Sequence, residues 1–337
     1  MTRRLTYEQI ITVLSSDLQD GFVRSMQGMV DNVVLGELIA AIEAGDAQRA
    51  YEVLWFNAAA LRPLTRAIEL VYERSGEWTT DGYPRVPDLP YFRFDVRNQR
   101  AEQWIKAKSG TLITAIGEDI RNNVRDTLLD GIERGVNPRQ TALSIIGRVD
   151  QTTGERVGGV LGLTQQQEGW TRSLRTYLAQ GNERYFSMAL RDKRFDATVR
   201  AAFDSGRPLP SEVVERLVTR YRSSALRYRG EMIGRTESLL AFNAAEYEST
   251  LQVLATGKVR EKDIKREWDS AGDKRVRPAH KVMDGQQVGP NEAFVSPSGA
   301  RLMHPGDSSL GAPGSLTIAC RCRVKTVIDW FGPLVDD

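Results

Sequence analysis

The hydropathy pattern of the chain changes character at Gly257, and this change constrains the fold more than any other feature. Upstream, apolar residues recur every three or four positions over long stretches. Downstream, short runs such as IKREW, HKVM, QQVG, EAFVS, RLM and CRVKTVI alternate with the turn dipeptides Asp284-Gly285, Ser298-Gly299, Gly306-Asp307 and Pro313-Gly314. A period of 3.6 residues builds one face of a helix and a period of two builds one face of a strand, and neither pattern serves for the other. Asp-Gly between short runs is a strong local hairpin signal. The expected class is therefore α+β: mostly helical N-terminal and middle regions, with a small C-terminal β-rich module packed on a long helix. About 80 residues of short strands make a thin core, so the module needs that helix or a staple to hold it.

Within the helical part, the pattern runs from Tyr7 to about Arg74, with Asp46 placed to cap one helix and Gly76 to stop it. Pro84, Pro87 and Pro90 then interrupt it. Periodicity resumes in NQRAEQWIKAKSGTLITAIGEDIRNNVRDTLLDGIERG, closes at Gly135 and Pro138, and returns in RQTALSIIGRV. Gly154, Gly158, Gly159 and Gly162 crowd the next stretch. No Lys-Ser/Thr follows them as a phosphate-binding loop requires, so they read as a flexible interhelical turn. Thr164 and Gln167 fit a capping box. SGRPLP at 205–210 precedes the longest helical stretch, from Ser211 to about Thr256. These breaks divide the chain into an N-terminal helical domain (1–82), a Pro/Gly linker (83–95), a middle helical domain (96–210) and the C-terminal α+β module (211–337).

In the long stretch Val214, Leu217, Val218, Tyr221 and Ala225 share a face. At about 100° per residue, Arg216, Arg220 and Arg227 fall within about 40° of one another as a basic stripe. Such a stripe suits phosphates or an acidic partner, or else simply faces solvent. Across all 337 residues 46 basic side chains nearly balance 44 acidic ones. Locally the balance fails: residues 1–90 carry 8 basic against 13 acidic side chains, and residues 216–325 carry 19 against 12. The near-neutral total therefore does not argue against contact with a polyanion. The N-terminus lacks the apolar stretch of a secretory signal, and no run approaches the ~18 apolar residues of a membrane span. Two cysteines make no disulfide framework. The expectation is a protein made in the cytoplasm, with no membrane span.

The chain has two histidines and two cysteines, and His280, His304, Cys320 and Cys322 all lie in its last 58 residues. Cys320 and Cys322 in a strand-like run place both thiols on one face. Two thiolates and two imidazoles match the donor set of a structural zinc site, which would staple a thin module. Separate roles, as small buried thiols and turn-bonding histidines, are the alternative. Two catalytic readings also stand: a cysteine nucleophile activated by a histidine, and a metal-dependent or His/Arg nuclease using His280 with Arg277 and Lys281.

The order of the tail adds a further signal. Gly234-Arg235-Thr236-Glu237 on a helix is followed by Trp268, then Asp273, Arg277 and His280, then Asp284-Gly285, Phe294, Gly299, His304-Pro305-Gly306-Asp307 and Cys320-Arg321-Cys322. This succession resembles the phage Mu F-like minor head protein family, the head morphogenesis proteins of tailed bacteriophages. The likeness is close over about 230–330 and looser back to about 91. It implies a non-enzymatic minor protein of the virion head, incorporated during assembly through the portal. Implied partners are the portal, scaffold and major capsid proteins and packaged DNA, with a DNA-binding ejection protein as a variant of that role. The motif positions Arg235, Glu237, Trp268, Asp273, Arg277, Gly285 and Asp307 are expected to frame the module, with Arg277 clamping a carboxylate and Trp268 anchoring hairpins on the helix.

Overall fold

The computed structural model describes residues 4–54, 58–86 and 91–331. Its first half is helical: α1 (Tyr7–Asp31), α2 (Leu35–Glu43), α3 (Ala47–Leu54), α4 (Arg62–Thr80), α5 (Gln99–Glu133) and α6 (Pro138–Ile146). A two-residue hairpin, β1 (Arg148–Val149) and β2 (Arg156–Val157), leads into α7 (Gln165–Gln180), α8 (Asp196–Ser205) and the 45-residue α9 (Ser211–Ala255). The tail holds β3 (Ile264–Asp269), α10 (Pro278–Met283), β4 (Gln287–Val288), β5 (Phe294–Val295), β6 (Arg301–Leu302), α11 (Gly314–Thr317) and β7 (Arg323–Ile328). The expected α+β class, mostly helical with C-terminal strands, is what the structure shows.

The chain forms two compact units, and neither is contiguous. One comprises Met1–Asp20, Thr65–Ser109 and Glu231–Asp337; the other comprises Gly21–Leu64 and Gly110–Gly230. The segments expected from the sequence breaks are thus distributed over both, because α1, α4, α5 and α9 each contribute residues to each unit.

In the helical unit, Leu217, Val218 and Tyr221 of α9 pack with Leu174, Leu178, Tyr185 and Val199. The capping box forms as expected. Thr164 Oγ1 accepts from Gln167 N–H and Gln167 Oε1 accepts from Thr164 N–H, both at 3.1 Å. Gln167 then donates its amide to Ala225 O of α9 at 2.9 Å, so one residue both starts α7 and docks it. The glycine-rich stretch differs from expectation. It carries the β1–β2 hairpin, and a Cβ on Gly159 would collide with the Ile145 backbone, so this glycine allows close chain approach rather than flexibility.

In the other unit the main sheet is antiparallel with strand order β4-β3-β7, and β5 pairs with β6. The register pairs Ile264 with Ile328 and Asp269 with Arg323. Trp268, Met283, Phe294, Leu302, Cys320, Cys322 and Val324 form the core of the β module. Three local expectations are corrected. HKVM forms helix α10 instead of a strand, because Pro278 occupies its first turn, where the missing N–H costs nothing. Asp284-Gly285 consequently turns from α10 into β4 and does not join two strands. Gly76 does not stop α4, which continues to Thr80; the ring of Phe94 packs where its Cβ would stand. The described parts of the Pro-rich segment also pack within this unit: Tyr83 and Phe92 lie against Trp330 at ring distances of 5.1 and 5.3 Å. Pro87 and Pro90 lie outside the described residues.

The second half of α9 serves as a docking rail for β7. Asn243 Nδ2 donates to Cys322 O at 3.1 Å, and its Oδ1 accepts from Val324 N–H at 2.8 Å. Glu246 accepts from Thr326 N–H at 3.2 Å, and the Thr250 and Thr326 hydroxyls bond at 3.1 Å. An edge strand normally leaves unpaired N–H groups open to other chains, and here helix side chains cover them. Gly234, in the expected motif, lets α9 approach the backbone of Ser15 in α1, where any Cβ would collide.

Candidate metal-binding cluster and basic cleft

The His/Cys cluster is assembled from two short elements. Pro278 starts α10, which carries His280; the extended segment ahead of β7 presents Cys320 and Cys322 on one face, with Arg321 between them directed away. Arg321 makes a bidentate ion pair with Asp273, whose carboxyl it holds well below the usual carboxylate range. Arg277, immediately before α10, donates to the carbonyl of Ile318. The expected carboxylate clamp therefore belongs to Arg321, and Arg277 ties the start of α10 to the chain just ahead of the thiols.

Between these clamps, His280 Nδ1 lies 3.6 Å from Cys320 Sγ and 3.3 Å from Cys322 Sγ. The three donor atoms all lie within 4.8 Å of one another. All three residues are buried, at 2% exposure for His280, 5% for Cys320 and 2% for Cys322. The Trp268 ring meets the imidazole edge-on at 5.3 Å, and Phe294 flanks that indole at 5.4 Å. Cys322 N–H donates to Cys320 Sγ at 3.4 Å. A hydrogen bond with Cys322 and a second with His280 draw Cys320 well below the ordinary thiol range against the effect of burial, while Cys320 and burial push Cys322 up.

The expected fourth ligand, His304, does not join this group. Its Nδ1 donates to Pro305 O at 3.2 Å and its ring lies 6.2 Å from that of Tyr247. Beside it, Asp307 accepts from Met303 N–H and Ser309 N–H, each at 2.8 Å. His304 and Asp307 thus set a turn, in line with the alternative of separate roles for that histidine. Glu237 and Gly285 are also framework, whereas Arg235 is not. Glu237 pairs with Lys108 at 2.9 Å, Gly285 N–H donates to Trp268 O at 2.8 Å with φ +75°, and Arg235 is exposed on α9. His280 and both thiols are buried, while Arg277 is half-buried and Lys281 exposed.

Two framework residues escaped the sequence reading. Arg266 is fully buried and donates to the carbonyls of Gly289, Glu292 and Met303, beneath the Tyr247 ring at 4.5 Å; burial lowers its guanidinium to about 10. The period-two face shared with Ile264 and Trp268 was the available signal for it. Glu246 is buried against β7, and burial pushes its carboxyl up. A polar residue within the apolar stretch LLAFNAAEY was the signal there.

In the helical unit Arg216, Arg220 and Arg227 are exposed and line one cleft of about 1130 Å³, bounded also by β1 and the segment around 191–194. Seven basic and five acidic side chains line it. Some are already paired: Asp192 takes a bidentate contact from Arg194 and lies 3.5 Å from Arg220. Asp192 is drawn below the usual range, chiefly by Arg194.

A small antiparallel sheet docked on a long helix, cored by tryptophan and a buried His/Cys/Cys group, defines an α+β module at the end of a helical chain. Residues 193–325 match the family described as "Phage Mu protein F like protein". The match starts later than the looser likeness back to about 91 and earlier than the close likeness from about 230. The family is one of structural phage-head proteins associated with head morphogenesis. No curated protein and no solved structure matches the chain. Among the described residues no helix is long and apolar enough to cross a membrane.

Proposed function

We propose that this protein is a minor head protein of a tailed phage, bound at or near the portal during head assembly and retained in the virion. The observation that carries this reading is the Mu F-like match over 193–325, the region that contains the β7 docking rail and the His/Cys cluster. In this reading the module is a rigid frame. Its edge strand is covered by α9, its reactive groups are buried, and its motif residues support turns and clamps, all of which suit a structural role more than a catalytic one.

The partner surface is the portal, with scaffold and major capsid proteins as further assembly contacts. Packaged DNA is assigned to the cleft bearing Arg216, Arg220 and Arg227, whose basic side chains outnumber the acidic ones. A cleft of this charge favours phosphate contact and makes binding depend steeply on salt. Co-purification with the portal protein from infected cells is the test: association before DNA packaging is the expected result, and failure to associate overturns the portal assignment. DNA binding by the purified protein checks the second assignment. Replacing the three arginines with glutamine is expected to lower the slope of log affinity against log salt by about one for each arginine that neutralises a phosphate. An unchanged slope removes DNA from the reading.

A further inference from the structure

We infer that His280, Cys320 and Cys322 form a binding site for one thiophilic divalent cation of the zinc class, which fastens α10 to the chain entering β7. Hydrogen bonding alone does not account for the arrangement. A single imidazole nitrogen carries either one proton or one lone pair, so His280 Nδ1 can bond one sulfur but not both. Two sulfurs nevertheless converge on it, at 3.6 and 3.3 Å. A zinc ion about 2.3 Å from each sulfur and 2.0–2.1 Å from nitrogen sets tetrahedral S···N separations of about 3.6 Å. Both observed separations lie close to that value.

Two further observations point the same way. The Cys322 amide donates to Cys320 Sγ at 3.4 Å, the kind of supporting hydrogen bond that surrounds metal-bound ligands. Ala319, directly before the first thiol, holds φ at 51°, the one non-glycine in the left-handed region among the described residues. That conformation is costly for a residue with a Cβ and persists where the surrounding structure over-determines it.

The ion's mechanical role follows from the topology. His280 and Cys320 are 40 residues apart, and the short strands β4, β5 and β6 lie between them. A cation joining the two ends closes this stretch into a loop around the Trp268 and Phe294 core. Among the described residues no fourth His, Cys, Asp or Glu joins the group within 4.8 Å.

The test uses the full-length protein purified under reducing conditions. Elemental analysis is expected to find about one zinc per chain, and cobalt substitution to give visible d–d bands with thiolate charge transfer. Cys322→Ser and His280→Ala should each abolish that spectrum, whereas His304→Ala should keep it. If the cysteine variant fails to fold, metal removal from the wild type replaces it: chelation should lower the melting temperature and stoichiometric zinc should restore it. A folded, reduced wild type that holds no metal and gives no cobalt spectrum overturns the inference. So does full metal content in a folded Cys322→Ser, or isolation of the pair as a Cys320–Cys322 disulfide.

Discussion

The two halves of α9 use the same secondary structure for opposite purposes. Residues 211–230 are amphipathic in the ordinary way, with Leu217, Val218 and Tyr221 buried and Arg216, Arg220 and Arg227 exposed. Residues 231–255 are buried nearly all round, and their polar members Asn243, Glu246 and Thr250 face β7 at intervals of three and four. The first half shows its surface in its hydropathy pattern. The second half hides a polar seam inside the molecule, where helix side chains replace a missing strand. A uniform helix thus meets solvent along one length and a sheet edge along the other, and only the identity of its polar residues distinguishes them.

Buried charge shows the same contrast. In the first half, Arg222 meets Glu168 of α7 bidentately with both side chains about nine-tenths buried. In the β module, Arg266 has three carbonyls and an aromatic face around its guanidinium. The first is a pair that fails when either member is removed. The second spreads one charge over three carbonyls in two loops.

These differences can be broken experimentally. The largest effect is expected from Arg222→Ala, which strands the Glu168 carboxylate in the interior and should cost about 3–5 kcal/mol of unfolding free energy in denaturant titration. A loss below about 1 kcal/mol would show that the pair is solvated in solution. Asn243→Ala comes next. It leaves Cys322 O and Val324 N–H without partners along the rail, at about 1–3 kcal/mol for each buried group. Hydrogen exchange at Val324 should then accelerate, and unchanged protection would mean that β7 does not depend on α9.

A smaller effect should appear as a slope against pH. Burial lowers the pKa of His304, so below about 6.5 the unfolded chain takes up a proton that the folded chain refuses, and stability falls on acidification. Asp307 is held below its usual range despite burial, chiefly by His304 and by N–H donors, so its contribution is lost as pH falls through its folded value. Melting curves of His304→Gln should lack the first loss and keep only the part of the second that the Met303 and Ser309 N–H donors supply. The smallest effect belongs to the exposed stripe: replacing Arg216, Arg220 and Arg227 with glutamine should change stability by no more than about 0.5 kcal/mol each. A larger loss would make those side chains part of the fold and not a free surface.

Much of this was legible in the residues. The Thr164/Gln167 box, the Asp46 cap, the extent of α9 and the exposure of its arginine stripe all follow from local rules, and each formed as read. Both thiols do face one imidazole, but Cys320 and Cys322 lie just ahead of β7 and not inside a strand, so the period of two was not what placed them. Local readings failed in two ways: a neighbouring residue overrode the pattern at HKVM and at His304, and a partner distant in sequence did so at Gly76. HKVM looked strand-like until Pro278 set its first turn, and Gly76 looked like a stop until the Phe94 ring filled the space above it. His304 matched the metal donor set by type, but a turn with Pro305 and Asp307 holds it apart.

The sequence by itself determined the helical periods, the caps and the change of pattern at Gly257, because each depends on side chains within a few positions of one another; the ordered motif of the Mu F-like region was legible as a succession along the chain. Only the tertiary structure decided which three of four metal-type donors converge, which polar residues of α9 bind β7 and how the chain interleaves into two units. Those outcomes depend on groups tens to hundreds of residues apart meeting within a few ångströms, and no local pattern encodes that distance.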